Sequence, residues 1–334
     1  MIRRKRRENS TFVMKTTVII PNYNGIEYLK ACLDSLRLCV PKDFATIVVD
    51  NGSSDGSAMC VLTEYPEVQL IPLETNTGFA AAVNRGIEAA TTDYVILLNN
   101  DTTVSESFVK ALEDTLEGDS KIFSASAKMV DMKNPEIIDG AGDYYCALGW
   151  GFAYGKGKKV EDSCMLSHSI FSACAGAAIY RRDVLNEIGM FDEAHFAYLE
   201  DVDVGYRGLI NGYKNVYEPE AVVLHAGSSS SGSRYNEFKI DLSSRNSVYL
   251  IWKNMPLLQW VINLPFLIIG FGIKALFFIL KGYGGVYLNG LWKGIKMSFS
   301  ETGRKRKVRF KPVNFGNYCA IQWQLWVNMV RRLL

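Results

Sequence analysis

Residues 99–101, Asn-Asn-Asp, have the types and the setting to hold a charged ligand. They follow the apolar run at 95–98, so two amides and a carboxylate sit at what reads as the C-terminal end of a buried strand. Open α/β sheets bind ligands at that end, and a carboxylate there can hold a divalent cation against a phosphate. A second acidic group, Glu200, Asp201 and Asp203, precedes Arg207. With a helix beginning near Asp201, that carboxylate lies at the positive helix end, which favours its ionised form and suits it to act as a base. Asp203 and Arg207, four residues apart, pair with each other, leaving Glu200 or Asp201 to face a cleft. One of only three histidines, His225, ends the short apolar run at 221–224 and is a candidate metal ligand.

A sheet must position these groups, and the first hundred residues carry its pattern. Strands are expected at 16–21, 46–50, 68–73 and 94–98. Helices are expected from about Gly25, with Ile26, Leu29, Leu33 and Leu36 on one face, and over 79–90. The alternation implies right-handed crossovers and an α/β fold with a mainly parallel, Rossmann-like sheet. Polar residues close each strand: Pro21, Asn22, Tyr23 and Asn24; the loop from Asp50 through Asp55 to Ser57; and Asn99, Asn100 and Asp101. Three such ends in one parallel sheet converge on one crevice, the expected nucleotide site. Neither GxxxxGK[ST] nor GxGxxG occurs, so a divalent metal is the expected means of neutralising phosphate. Beyond Gly118 the pattern is mixed, with a strand near 123–130. A Gly- and aromatic-rich stretch at 140–157 is suited to lining an acceptor site, and a run of small residues at 173–178 permits close backbone approach.

Together these pieces resemble the family 2 glycosyltransferases, inverting enzymes of GT-A fold, and among them the rhamnosyltransferase-like branch that builds bacterial surface polysaccharides. The resemblance is carried by TVIIPNYN at 17–24, VVDNGSSDG at 48–56, NTGFA at 76–80, NRG at 84–86, LLNND at 97–101, GMFDE at 189–193, EDVD at 200–203 and His225, and it covers about residues 16–253. It implies a nucleotide-diphosphate sugar donor, with Asn22 and Asp50 beside the base and Gly78, Asn84 and Arg85 along the nucleotide cleft. It implies a Mg or Mn ion held by Asp101 and His225, and Asp201 as general base with Glu200 beside it. Asn99 stands where the family's Asp-x-Asp has its first acid. The Gln-x-x-Arg-Trp motif of processive synthases is absent, which implies addition of one or a few sugars. The implied donor is dTDP-rhamnose, with galactofuranose or an N-acetylhexosamine as alternatives, and the implied acceptor is a glycan or lipid-linked glycan of the cell surface. A nucleotidyltransferase would carry an Arg/Lys-bearing Gly-rich loop after its first strand, unlike residues 21–25. A non-catalytic membrane-surface scaffold would have no need of Asp101 and Asp201.

The formal charge of +2 hides an asymmetry. Residues 251–334 hold 13 Lys and Arg against Glu301 alone, a balance of +12, which leaves −10 for residues 1–250 despite the basic run at 3–7. Residues 256–273 are uncharged, interrupted by Gln259, Asn263 and Pro265 and followed by Lys274, and Trp252, Trp260, Trp292, Trp323 and Trp326 lie nearby. That mixture suits helices lying in an anionic membrane interface better than a full span. A packing subdomain or homo-oligomer interface is the other use of such a surface. The expected organisation is a basic tail (1–15), a GT-A catalytic domain (16–250) and a membrane-associating helical region (251–334), cytoplasmic and peripheral to the inner face of the cell membrane. No nucleic-acid recognition motif accompanies the basic tail, and residues 1–7 lack a signal peptide's apolar core. Seven cysteines without a CxxC pair fit a reducing compartment.

Overall fold

A computed structural model describes residues 14–161, 164–227 and 235–333, and the expected N-terminal basic tail lies almost wholly outside the described residues. Strand β1 (Thr16–Asn22) is buried on both faces, as a central parallel strand must be. Its side chains alternate between two cores, with Ile19 in one cluster and Val18 and Ile20 in the other. Helix α1 (Ile26–Arg37) follows, burying Leu29, Cys32, Leu33 and Leu36, with Gly25 at its N-terminus in the left-handed region at φ 89°. The chain continues through β2 (Phe44–Asp50), α2 (Ser57–Glu64), β3 (Gln69–Pro72), α3 (Phe79–Ala89) and β4 (Tyr94–Leu98). Strands β3-β2-β1-β4 are neighbours in that order and all parallel.

The second half contains β5 (Thr102–Val104), α4 (Phe108–Gly118), β6 (Ile122–Asp131), β7 (Ile138–Gly140), a separate hairpin of β8 (Asp143–Cys146) and β9 (Trp150–Ala153), β10 (His168–Ile170), β11 (Ala177–Arg181), α5 (Arg182–Ile188), α6 (Glu200–Ile210) and β12 (Lys214–His225). The sheet continues from β4 as β11-β6-β12-β10. Strand β11 is antiparallel to both neighbours, whereas β12 is parallel to β6. Strands β5, β7, β10 and β11 run against the other six, so the sheet is mainly parallel with four reversed strands, a direction that hydrophobic periodicity does not encode. The expected short strand at 221–224 is the end of the 12-residue β12, whose register on β6 slips between Glu218 and Val222 and is regular again through His225, which pairs with Asp131 of β6 and Thr102 of β5.

Five helices complete the chain: α7 (Glu237–Asn254), α8 (Leu257–Leu280), α9 (Gly284–Phe299), α10 (Glu301–Arg306) and α11 (Phe315–Leu333). Helix α7 runs through residue 250 without a break, and the core beneath the sheet extends into Leu250, Ile251, Leu267, Ile321 and Leu325. Helices α7 and α9 touch closely because a Cβ on Gly290 would lie 1.9 Å from Ser244 Oγ. Helix α8 has inverted polarity. Its buried residues are Gln259, Asn263, Leu267 and Gly270, while Leu257, Ile268 and Leu280 are 80, 64 and 78 % exposed. Gln259 accepts a hydrogen bond from Tyr206 Oη at 2.6 Å, and Asn263 and Gln322 exchange two at 2.8 Å. Among the described residues α8 is the one helix long and apolar enough to cross a membrane, and it runs unbroken through Pro265.

Candidate active site

The polar ends of β1, β2 and β4 meet in a network of short amides. Asn22 is fully buried, donates to Asp50 Oδ1 at 3.0 Å and to Ser53 Oγ at 3.1 Å, and accepts from Asn100 Nδ2 at 2.7 Å. Asp50 also receives the Ser53 N–H at 3.2 Å, so it stands behind Asn22 with both oxygens engaged. Asn51, which the sequence reading did not single out, accepts from the Thr77 N–H and hydroxyl at 2.9 Å and donates to Gly78 O at 3.2 Å. Gly78 has φ 89°, and a Cβ there would fall 2.6 Å from the Phe196 ring, so no side chain fits.

These ends open on a cleft of about 1100 Å³. Pro21, Asn22, Tyr23, Gly78, Asn99, Asn100, Asp101, Glu200, Asp201 and His225 all line it. The small-residue run is used as expected, since Gly176 O accepts the Asn99 N–H at 2.8 Å and a Cβ on Gly176 would come within 3.0 Å of the Asn99 amide. Three residues carried over by resemblance do not line the cleft, Asp50 standing behind Asn22 and the other two lying on α3. Arg85 is exposed on α3 and pairs with Glu88 at 3.0 Å. Asn84 clamps the loop after α5, exchanging hydrogen bonds with the Phe191 backbone at 2.8 and 3.1 Å and donating to Glu193 at 3.1 Å. The resemblance put both along the nucleotide cleft, and on α3 neither side chain lines it.

His225 Nε2 lies 3.4 Å from Asp101 Oδ1, and its Nδ1 is 2.8 Å from Asp139 Oδ2. Burial alone would lower the imidazole pKa, but hydrogen bonds to the carboxylates of Asp101 and Asp139 raise it to about 9. Asp139, opposed by burial but favoured by His225 and Lys156, is held down to about 2. A carboxylate fixing one ring nitrogen while the other faces a second carboxylate is a donor set that fits a divalent ion. Asp139 escaped the sequence reading because nothing local marks it. Elsewhere, Asp192, His195 and Asp203 have donor atoms within 4.8 Å of one another. Cations of the chain already occupy it: Lys253 Nζ is 2.8 Å from both carboxylates, Arg207 pairs with Asp203 at 2.8 Å, and Arg306 contacts Asp192.

The base candidates sit at the start of α6. Asp201 accepts the Val202 N–H at 2.7 Å, as a first-turn carboxylate should. Burial nevertheless outweighs the helix end and raises its pKa, which corrects the expectation that the helix start alone governs it. Glu200 is 7 % exposed, its Oε2 has no hydrogen-bond partner, and burial followed by the Asp201 charge pushes its pKa well up. Asp143, from the Gly- and aromatic-rich stretch, joins them. Oxygens of Asp143 and Asp201 and the Cys174 sulfur lie within 4.8 Å of one another, and burial and then Asp201 push Asp143 up to about 8. Burial and mutual repulsion thus push all three carboxyls toward their neutral forms, and a base of raised pKa is the better proton acceptor.

The loop leading into α6 carries Phe196, Tyr198 and Leu199 at φ 62, 71 and 67°. Helix α7 holds it there. Asn246 Nδ2 donates to the carbonyls of His195, Ala197 and Tyr198 at 2.9, 2.8 and 2.8 Å, and Arg245 Nη2 to those of Ala194 and His195 at 3.1 and 2.8 Å.

The fold and the sequence have recognisable relatives. The structure resembles GalNAc-T7 with UDP, GalNAc and Mn2+ (TM-score 0.59, 17 % identity, 74 % of this chain and 48 % of that one). It also resembles the mannosyltransferase PcManGT from Pyrobaculum calidifontis in complex with GDP-Man and Mn2+ (TM-score 0.52, 17 % identity, 97 % and 88 %). Both likenesses establish the GT-A fold. In sequence the chain is 29 % identical over 245 residues, 64 % of its length and 77 % of the relative's, to the N-acetylglucosaminyl-diphospho-decaprenol L-rhamnosyltransferase of Mycobacterium tuberculosis. It is 22 % identical over 216 residues to the poly-beta-1,6-N-acetyl-D-glucosamine synthase of Staphylococcus aureus, covering 62 % of this chain and 48 % of that protein. The profile of Glycosyl transferase family 2 matches residues 17–189, more than half of the sequence. The chain therefore belongs to glycosyl transferase family 2 and is a nucleotide-sugar glycosyltransferase.

Proposed function

We propose that the protein is an inverting, metal-dependent, non-processive transferase that moves rhamnose from dTDP-rhamnose to a hydroxyl of a lipid-linked cell-envelope glycan precursor at the cytoplasmic face of the membrane. The observation that carries this reading is the presence in one cleft of the Asp101–His225 pair and of Asp201 with Asp143 and Glu200 beside it. Asp101 and His225 would hold a divalent ion, oriented by Asp139, and the ion would supply charge to the departing diphosphate. Asp201 takes the proton from the acceptor hydroxyl as its oxygen attacks the anomeric carbon from the side opposite the nucleotide, and one displacement inverts that centre. Asn22, Asn51, Gly78 and Asn100 shape the donor end, and the loop with Phe196 and Leu199 closes over it. Rhamnose and a diphospholipid acceptor are supported by the mycobacterial relative. Membrane association is supported by α8, which is held along one face by Gln259, Asn263 and Gly270 and presents apolar side chains on the other. A helix gripped on one side suits an interfacial position.

The test is transfer by the full-length protein from dTDP-rhamnose, a UDP-galactofuranose and a UDP-N-acetylhexosamine to a short-chain polyprenyl diphosphate glycan, with and without EDTA. Rhamnosyl transfer that stops on chelation and returns with Mg or Mn is expected. Undiminished transfer in EDTA after dialysis would remove the metal from the mechanism, and turnover of another sugar alone would remove rhamnose.

A further inference from the structure

The β8–β9 hairpin has two unlike faces. On one, Asp143, Gly151 and Ala153 line the cleft. On the other, pairing of Tyr144 with Phe152 and of Cys146 with Trp150 gathers three aromatic rings, of which Phe152 reaches the cleft rim. Three cations lie over those rings: Lys274 Nζ 5.6 Å from Trp150, Arg331 Cζ 4.8 Å from Tyr144 and Arg332 Cζ 5.4 Å from Phe152. Lys274 comes from α8 and the arginines from the end of α11. Both helices are fastened to the hairpin, since Trp150 Nε1 donates to Gly270 O at 3.1 Å and Asn328 Nδ2 to Tyr145 O at 3.0 Å.

Among the described residues no carboxylate lies within ion-pair distance of these three cations, whereas nearby Lys156 is paired with Asp139. Burial, reinforced by the Arg332 charge, holds the Lys274 ammonium down to about 8. Aromatic faces offset such charges only in part, and with Arg331 and Arg332 exposed, the former donating to Asn328 Oδ1 at 3.1 Å, the cluster is open to an anion. Two planar guanidinium forks suit phosphate oxygens. The setting narrows the source of the phosphate. Ile269, Ile273 and Leu276 of α8 and Trp323, Trp326 and Val330 of α11 are exposed, so the two helices that carry the cations also offer apolar surface to acyl or prenyl chains.

We propose that Lys274, Arg331 and Arg332, on the aromatic face of the β8–β9 hairpin, bind the phosphate group of a membrane lipid one hairpin's thickness from the cleft. Two lipids share that chemistry, the diphosphate of a lipid-linked acceptor and an anionic phospholipid headgroup. The acceptor is the form that would bring a sugar hydroxyl into the cleft, and in that form the inference rests on the proposed function.

The test titrates the full-length protein and its Arg331→Gln/Arg332→Gln variant against phosphatidylcholine vesicles carrying either a polyprenyl diphosphate or phosphatidylglycerol at equal charge. The wild type is expected to prefer the diphosphate lipid by roughly 10-fold or more, and the variant to lose that preference. Equal binding of the wild type to both vesicles, lost in the variant, supports the site and assigns it to phospholipid headgroups. A variant that binds both vesicles as tightly as the wild type overturns it. Melting temperatures show whether the variant is folded, and Lys274→Gln gives a second, independent change if it is not. Failure of the site and failure of the proposed function separate cleanly. Lost vesicle preference with no transfer from any nucleotide sugar leaves the site and removes the function. Transfer to the lipid acceptor with an unchanged acceptor KM and unchanged binding to both vesicles in the variant leaves the function and removes the site.

Discussion

Along the ends of β1, β2 and β4, side chains one or two residues beyond their own strands shape the cleft. Asn22, Asn51 and Asn100 bond to one another's loops, and every partner lies in the first hundred residues or close to them. Around α6 the same cleft is shaped from a distance. Leu199, Glu200 and Asp201 follow a backbone with three non-glycine residues at positive φ, a conformation costing of the order of 1 kcal/mol or more per residue. It persists because Asn246 and Arg245, some fifty residues later, satisfy its carbonyls. Beneath it, Lys253 bridges Asp192 and Asp203. A wall made of strand ends needs only the sheet, whereas a wall made of a strained loop needs the C-terminal helices.

The sharpest way to break this contrast is at the base. Asp201→Asn should lower turnover by about 10²-fold or more while donor affinity, which depends on the strand-end wall, stays near wild type. Turnover measured alongside nucleotide-sugar binding checks this, and near-normal turnover would move the role to Asp143 or Glu200.

Asn246→Ala should act on the loop wall alone. Three carbonyls lose a donor, of which that of His195 keeps Arg245, so stability should fall by about 1–3 kcal/mol. Turnover per folded molecule should fall roughly tenfold with donor KM little changed. Urea denaturation and steady-state kinetics on the same preparation separate the two effects. A loss of stability with unchanged turnover would make Asn246 a purely structural residue.

Asp143 gives a smaller effect with a definite sign. Its folded pKa of about 8 lies above the ordinary carboxyl value. Between about pH 4 and 8 the folded state therefore holds a proton that the unfolded state has lost, and stability should decline as pH rises through that window. Asp143→Asn should flatten the decline, which melting temperatures at pH 5 and pH 8 would reveal. An unchanged slope would place the proton elsewhere in the acid group.

The smallest effect belongs to Arg85. It is exposed and paired only with Glu88, so Arg85→Ala should alter donor KM by less than about twofold. A large change would mean that α3 presents a different face when the donor binds.

The parallel half of the sheet was legible because a buried strand followed by Asn and Asp is a local pattern. The two cores on either side of β1 follow from strict alternation at Val18, Ile19 and Ile20. The pairing of Asp203 with Arg207 was legible for the same reason, as both lie on one helix face at a spacing of four. Asp139 and Asp143 were not, because their significance comes from His225 and Asp201, far away in sequence. Lys253 reads as one of many basic residues near the C-terminus, yet it is 4 % exposed and bridges two acids.

The sequence by itself therefore determined the strand–helix alternation, the polar strand ends and the acids that lie on them, since each depends on neighbours within a turn or a strand. The tertiary structure decided the direction of β11, the face that α3 turns to the cleft, the proton held between Asp143, Glu200 and Asp201, and the seating of the β8–β9 hairpin on α8 and α11. All of these depend on which distant groups share a few ångströms of poorly solvated space, and burial there reverses preferences, such as that of a helix end for an ionised Asp201, that local chemistry alone would set.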